Sequence, residues 1–153
     1  MKYYTLYYLR LAAIILTTSW MVACDKVPAN GKLDGMWKLV TIQTPEATRN
    51  VEDTQTFLSI QLQMVQWDVI GRKQFYSRFE QFGDSIRFYD FTYSSKHRDK
   101  EDDDEPVAPS QIQQGALDEW GIHTTDARYR TRQLDGQALV LEKADTVLFL
   151  RKF

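Results

Sequence analysis

The sequence predicts an all-β fold, an antiparallel up-and-down β-barrel of seven to eight strands with one short helical insert. Three observations predict it: runs of β-forming residues, period-two alternation of apolar and polar side chains, and turn residues between the runs. Consecutive hairpins leave two open sheet edges, which a barrel removes by closing on itself. A two-layer sandwich is the alternative, but it needs long crossovers, and the sequence offers one candidate, at residues 94–127.

The first two predicted strands are Met36–Thr44, which is rich in β-formers, and Phe57–Val69. In the second, Leu58, Ile60, Leu62 and Met64 alternate with polar residues. That alternation is typical of a strand with one buried and one hydrated face. The polar residues 45–54 between the two strands are predicted to form a loop.

The next two strands form a predicted hairpin. Gly71 interrupts the pattern, Gln74–Phe82 follows as a strand, and Ser85–Tyr93 returns after the turn residues Gly83-Asp84.

A charged segment then separates the two halves of the predicted barrel. Residues 94–110 hold a charge run that ends in Glu101–Glu105 and cannot build a core, so this segment is predicted to be a hydrated loop. Gln111–Trp120 is predicted to form one or two helical turns that stop at Gly121.

The last three strands are predicted at Arg128–Leu134, Gln137–Lys143 and Thr146–Phe153. Asp135-Gly136 lies between the first two, and this dipeptide favours the positive φ values of a type I′ turn. A short Ala144-Asp145 turn precedes the last strand.

The N-terminus has the order of a secretory signal, with Lys2 and Arg10 before an apolar run at Leu11–Trp20 and small residues before Cys24. The run of ten residues is shorter than the roughly 20 that a spanning helix needs. Met21-Val22-Ala23-Cys24 resembles the bacterial lipobox, in which the cysteine is diacylated and becomes the new N-terminus. An ordinary signal peptide with an incidental cysteine is the alternative.

The lipobox interpretation divides the chain into a signal peptide at 1–23, a flexible tether at 24–33 and a barrel domain at 34–153. It predicts a lipoprotein of the cell envelope, attached to the inner or outer membrane by acyl chains such as palmitate. In some bacteria an aspartate after the lipidated cysteine, here Asp25, retains such proteins at the inner membrane.

Composition excludes several classes of function. Residues 24–153 hold 17 Lys+Arg against 21 Asp+Glu, a net charge of −4, which does not favour nucleic acid as a partner. With Cys24, the only cysteine, carrying lipid, the domain has no disulfide, thiolate nucleophile, thiolate zinc site or iron–sulfur cluster. No cofactor is predicted.

The frame Leu33-Asp34-Gly35-Met36-Trp37, together with the closing strand Leu148–Lys152, resembles the lipocalin-like domains of bacterial envelope lipoproteins. In lipocalins the tryptophan of the G-x-W opening plugs one end of the barrel and an arginine of the last strand stacks on it. The resemblance therefore implies a barrel-closing group of Gly35, Trp37 and Arg151, with Lys152 as the alternative cation. The middle and late motifs and the disulfide of lipocalins are not found.

The strand pattern also predicts which residues face the interior. On the parity that buries Leu58, the inward set includes Leu139 and Leu141 and the residues predicted to line a ligand site: Leu39, Leu58, Ile60, Leu62, Phe75, Phe79 and Tyr129. An eight-stranded barrel is either filled by such side chains or holds one small ligand.

Polar candidates for chemistry are few. His97 and His123 lie on separate segments and do not predict a metal site, and Glu101–Glu105 lacks the ligand spacing of an EF-hand. Glu80 and Asp90 lie on adjacent predicted strands, and a shared cleft there would suit glycoside hydrolysis.

Three alternating arginines, Arg128, Arg130 and Arg132, share one face of a strand, opposite Tyr129. Burying three unpaired cations would be very unfavourable, so this face is predicted to point outward.

The resemblance and the absence of catalytic motifs predict a non-enzymatic binding protein that holds a small apolar or amphipathic ligand in the barrel. Two alternatives stay open. One is a protein-interaction module, including a protease-inhibitor-like barrel, that engages another envelope protein; the other is an enzyme acting on glycans.

Overall fold

A computed structural model describes residues 28–93 and 106–153. The predicted all-β fold is confirmed, with strands at β1 (Gly35–Gln43), β2 (Thr48–Asn50), β3 (Thr56–Gln61), β4 (Met64–Val69), β5 (Lys73–Phe82), β6 (Ser85–Tyr93), β7 (Ala127–Leu134), β8 (Ala138–Lys143) and β9 (Thr146–Lys152). The signal peptide at 1–23, Cys24, His97 and the acidic run Glu101–Glu105 lie outside the described residues.

The sheet is a closed meander. Each strand from β3 to β9 pairs antiparallel with its neighbour in sequence, and β9 pairs back with β1. The strands β2 and β3 share one edge of β1, β2 beside Thr41–Gln43 and β3 beside 35–38. The result is an eight-stranded barrel with one interrupted strand, and the sandwich alternative is wrong.

The single strand predicted at 57–69 is wrong, because this segment is a hairpin of β3 and β4. Leu62-Gln63 forms the turn, in which Leu62 has φ 55°. Ile60 pairs with Val65, so the inward parity changes from even to odd residue numbers across the turn. Leu62 and Met64, predicted on the buried face, are therefore exposed.

The core lies inside the barrel, where inward side chains from all eight positions around the sheet meet. At one end, a 3₁₀ turn at Gly31–Leu33 places Leu33 in this core beneath Trp37. We call this the closed end. Leu33, the last residue of the predicted tether, therefore packs inside the barrel.

At the other end, the predicted helical insert consists of α1 (Pro109–Gln113) and a 3₁₀ turn at Asp118–Trp120. Gly121 ends that turn with φ 69°, as predicted for a stop residue. Residues 106–126, here called the cover segment, contribute buried apolar side chains: Val107, Ile112, Leu117, Trp120 and Ile122.

The hairpin at Asp135-Gly136 forms with a different turn from the one predicted. Neither residue has positive φ. Instead, Oδ1 of Asp135 accepts from the backbone N–H groups of Gln137 and Ala138, both at 2.7 Å. The turn is therefore stabilised by hydrogen bonds to the Asp135 side chain, and it does not use a glycine with positive φ.

Across residues 28–93 and 106–153, no helix combines the length and the apolar character needed to traverse a membrane.

Candidate functional site

Trp37 and Lys152 close one end of the barrel. The register of β1 and β9 puts them opposite each other, and Lys152 Nζ lies 4.2 Å from the centroid of the buried indole ring. Trp37 Nε1 donates to the Leu33 carbonyl at 2.8 Å, and Lys152 Nζ donates to the Asp34 carbonyl. Burial lowers the pKa of Lys152.

Gly35 makes room for this arrangement. Its φ is 116°, and a Cβ at this position would lie 2.8 Å from Lys152 Nζ. The absence of a side chain at Gly35 therefore lets the Lys152 amine reach the Trp37 ring.

The predicted cation was wrong, because Lys152 and not Arg151 lies over Trp37. Leu150 points inward, so strand alternation turns Arg151 outward and Lys152 inward. Arg151 Nη2 instead contacts Glu52 Oε1 at 2.7 Å.

Aromatic rings lie in the opposite half of the interior. Trp67 lies at its centre, with ring centroids at 4.9 Å from Phe88 and 6.2 Å from Trp120. Trp120 also meets Phe75 edge to face at 5.5 Å. We call this set the aromatic cluster; its members are Trp67, Phe75, Phe88, Phe91, Trp120 and Tyr129.

Six of the seven residues predicted to line the interior are buried in the core: Leu39, Leu58, Ile60, Phe75, Phe79 and Tyr129. Leu139 and Leu141 are buried with them. Leu62 is the exception, because it lies in the β3–β4 turn and points to solvent. Trp67 and Trp120 are core residues that the strand pattern did not predict. Trp67 follows the changed parity after that turn, and Trp120 lies among regularly buried apolar residues of an otherwise polar connection.

Most polar groups inside the barrel have partners. Trp67 Nε1 donates to Ser77 Oγ at 2.8 Å, and Tyr129 OH donates to the Gly121 carbonyl at 3.2 Å. Burial raises the pKa of the Tyr129 phenol. Within the part of the chain that the structure describes, Trp120 Nε1 and Thr131 Oγ1 are buried without a hydrogen-bond partner.

The cover segment crosses the barrel end that carries Trp120. It begins beside β6, where Val107 N–H donates to the Phe91 carbonyl at 2.8 Å. Arg49 Nη2, next to β1, donates to the Asp118 carbonyl at 3.3 Å. A Cβ at Gly121 would lie 3.1 Å from Leu148 Cδ2, so the turn is in close contact with β9. Contacts with β2, β6 and β9 therefore hold the cover segment on this end of the barrel.

The three alternating arginines of β7 are exposed, as predicted, and each has a partner. Arg130 Nε lies 3.4 Å from Asp84 Oδ2, and Arg132 Nη1 lies 3.6 Å from Glu142 Oε1. Arg128 lies over the ring of Phe82 at 4.5 Å. This stripe is part of the outer wall and does not enter the interior.

Glu80 and Asp90 do not form a carboxylate pair. The Glu80 carboxylate lies 3.4 Å from Arg87 Nη1 and 3.1 Å from the Tyr89 hydroxyl. Arg87 also binds Asp126 at 2.6 Å, which lowers the pKa of Asp126 and raises that of Arg87. Asp90 has φ 52° at an irregular position of β6.

His123 Nδ1 lies 3.0 Å from Asp118 Oδ1 on the surface. Over residues 28–93 and 106–153, no cluster of three or more His, Cys, Asp and Glu side chains is arranged to hold a metal ion.

The barrel matches known folds. The chain is similar to a lipocalin-like protein from Bacteroides uniformis ATCC 8492 at 17% identity, with a TM-score of 0.58 over 80% of this chain and 100% of that one. It is also similar to an uncharacterized protein from Bacteroides eggerthii DSM 20697 at 17% identity, with a TM-score of 0.58 over 78% and 98% of the two chains. These likenesses concern the fold.

A comparison with the curated proteins finds no match. The family model for the lipocalin-like domain, Lipocalin_8, matches residues 18–153. This match shows that the chain belongs to the family of lipocalin-like domains.

Proposed function

We propose that this protein binds a small apolar or amphipathic ligand inside the barrel, at the aromatic cluster, and performs no chemical step. The lipocalin-like barrel supports ligand binding in general. The observation that carries the more specific proposal is the buried indole N–H of Trp120, which has no acceptor among the described residues.

An unsatisfied buried donor destabilises a protein by about 1–3 kcal/mol. A ligand with a carboxylate, carbonyl or hydroxyl oxygen would accept from Trp120 Nε1 and remove that penalty. Its apolar part would lie against the rings of Trp67 and Phe75, which already contact Trp120. The ligand class is therefore an apolar body with one oxygen acceptor at its end.

Entry requires movement of the cover segment. The opposite end is closed by Trp37 and Lys152. The cover segment is held by hydrogen bonds at Arg49, Val107 and Tyr129, by the ion pair of Asp126 with Arg87 and by its buried apolar side chains. Opening at this end would leave the strand pairing of the barrel intact, so we propose it as the route to the interior.

Two fluorescent probes test the proposal: cis-parinaric acid, a fatty acid, and diphenylhexatriene, a hydrocarbon that has no acceptor. We expect the wild-type protein to bind both. Trp120→Phe should weaken binding of the acid by about fivefold, because one hydrogen bond of about 1 kcal/mol is lost. Binding of the hydrocarbon should change by less than that. Tyr89→Phe, which removes a hydroxyl on the outer wall, is the control.

If neither probe binds to the wild-type protein, the proposal is wrong. If Trp120→Phe weakens the binding of both probes equally, the indole N–H does not select the ligand and the acceptor argument is wrong.

The absence of a chemical step is part of this proposal. It is supported by the Glu80 carboxylate, which faces Arg87 and Tyr89. Glu80→Gln combined with Asp90→Asn should leave probe binding unchanged. Loss of a glycan-cleaving activity in that double variant would favour the enzyme alternative instead.

We also propose that acylation of Cys24 anchors the barrel to a membrane of the cell envelope. The support is the order of charges, apolar residues and small residues before Cys24. Palmitate labelling of the wild-type chain should succeed, and Cys24→Ser should abolish both the labelling and the recovery of the protein with membranes. An unlabelled wild-type chain would contradict the anchor.

A further inference from the structure

The closed end of the barrel carries an exposed apolar surface close to the point where the N-terminal segment joins the fold. Four side chains form it, and we call them the apolar rim: Met36 (40% exposed), Leu62 (65%), Met64 (50%) and Phe153 (77%). Met36 and Met64 lie on the outer wall, Leu62 lies in the β3–β4 turn and Phe153 follows β9, so the interior function does not use any of them.

The apolar rim is continuous along the edge of the barrel. Phe153 N–H donates to the Met36 carbonyl at 2.9 Å, and Met36 pairs in register with Ser59 of β3. Leu62 and Met64 follow at the end of that strand, across the β3–β4 turn. The apolar rim therefore runs from the end of β9 across β1 to the turn of the β3–β4 hairpin.

The N-terminal segment is fixed on this same surface. Asn30 Nδ2 donates to the Leu62 carbonyl at 2.7 Å. Cys24 lies four residues before Pro28, the first described residue, and four residues span at most about 14 Å. An acyl chain on Cys24 would therefore hold the closed end, and not the cover segment, next to the bilayer.

The charges around the apolar rim suit an anionic surface. Arg78 pairs in register with Met64, and Lys32 lies two residues after Asn30; both are exposed, and in residues 28–93 and 106–153 neither forms an ion pair. The acids near Lys32 are Asp34, whose carboxylate accepts from the Asn30 backbone N–H at 2.9 Å, and Asp135. Lys32 and Arg78 supply the exposed cations that can face anionic headgroups.

We infer that the apolar rim, flanked by Lys32 and Arg78, rests on the bilayer that holds the anchor, with the cover segment turned away toward solvent. The inference rests on the proposed acylation of Cys24. It places Leu62 and Met64 among the lipid headgroups and the two cations beside anionic phosphates. The entrance of the barrel then faces away from the membrane.

The test uses the acylated full chain in vesicles of phosphatidylethanolamine and phosphatidylglycerol. Leu62→Cys supplies a free thiol for an environment-sensitive nitrobenzoxadiazole label, because the native cysteine is blocked by lipid. Ile70→Cys is the matched control: it is also exposed, at 56%, and lies in the turn at the other end of β4. Spin-labelled lipids serve as quenchers.

We expect lipid quenching of the label at position 62 to exceed quenching at position 70 by about threefold or more, since β4 separates them by roughly 20 Å. Lys32→Gln combined with Arg78→Gln should reduce the difference, and it should also fall in vesicles without phosphatidylglycerol. Equal quenching at the two positions would overturn the inference.

Two controls separate this result from other failures. Palmitate labelling and vesicle flotation are measured on the same samples, so an unacylated chain would overturn the anchor and this inference together. Acylated protein that floats without quenching at position 62 would overturn the docking alone. A concentration-dependent blue shift at position 62 without lipid quenching would instead assign the apolar rim to contact between two copies of the chain.

Discussion

Lys152 Nζ lies 4.2 Å from the centre of the Trp37 ring, over the position where a glycine leaves space for it. The amine is held from three sides, by the indole face, by the Asp34 carbonyl and by the close approach of Gly35. The first strand, the last strand and the N-terminal 3₁₀ turn thus meet at one cation. The pairing of β1 with β9, which closes the barrel, also places Lys152 over the Trp37 ring.

Gly35→Ala should destabilise the protein by about 1–3 kcal/mol, because φ 116° is strained for any other residue. The new Cβ would also push against Lys152 Nζ. Urea unfolding followed by circular dichroism measures the loss. Gly83→Ala is the control, since φ is 58° there and no atom lies within 4 Å of its Cβ; we expect about 1 kcal/mol. Equal losses at the two positions would contradict the crowding at Gly35.

Lys152→Met should cost about 1–2 kcal/mol, because it keeps the side-chain stem and removes the charge over Trp37 and the hydrogen bond to Asp34. Arg151→Met removes an exposed ion pair with Glu52 and should cost about 0.5 kcal/mol or less. The same urea titration compares them. A larger loss for Arg151→Met would mean that the outward arginine, and not the inward lysine, secures the closed end.

Conventional turn residues made the later hairpins predictable. Gly83-Asp84 and Asp135-Gly136 mark the turns of β5–β6 and β7–β8, and both hairpins form where they were expected. The β3–β4 turn was missed because Leu62-Gln63 contains no such residue, while Leu62 adopts φ 55°. Apolar and polar residues alternate in the sequence from Leu58 to Met64 without a break, although the chain reverses direction at the turn.

The site was predictable only in part, because it depends on contacts between distant segments. Strand parity placed Leu58, Phe75 and Tyr129 inside, and the same parity applied to β9 favours Lys152 over Arg151. No local pattern indicates that Trp120 crosses from the cover segment to reach Trp67. That contact joins residues 53 positions apart in the sequence, and it forms only when the cover segment packs against the closed barrel.

Ser77→Ala should destabilise the protein by about 1–3 kcal/mol, because it leaves the Trp67 indole N–H buried without its acceptor. Ser59→Ala on the outer wall is the control and should cost less than about 0.5 kcal/mol. Thermal unfolding by differential scanning calorimetry reports both. In a double-mutant cycle, Trp67→Phe with Ser77→Ala should show a coupling of about 1 kcal/mol. Additive losses would mean that the 2.8 Å contact contributes nothing to stability.

Stability should depend on acid pH through the β7–β8 turn. Hydrogen bonds from the Gln133 side chain and from the backbone of Gln137 and Ala138 lower the pKa of Asp135 below its ordinary value of 3.8. A carboxyl whose pKa is lower in the folded state stabilises the fold fully at pH values above its pKa in the unfolded state. This stabilisation is lost as the pH falls through its pKa in the folded state.

Asp135→Asn keeps an acceptor oxygen but does not ionise. The stability difference between wild type and Asp135→Asn, measured by urea unfolding, should therefore be constant from pH 5 to pH 7 and shrink below about pH 4. A difference that stays constant down to pH 2 would show that the turn holds the protonated acid as well as the carboxylate.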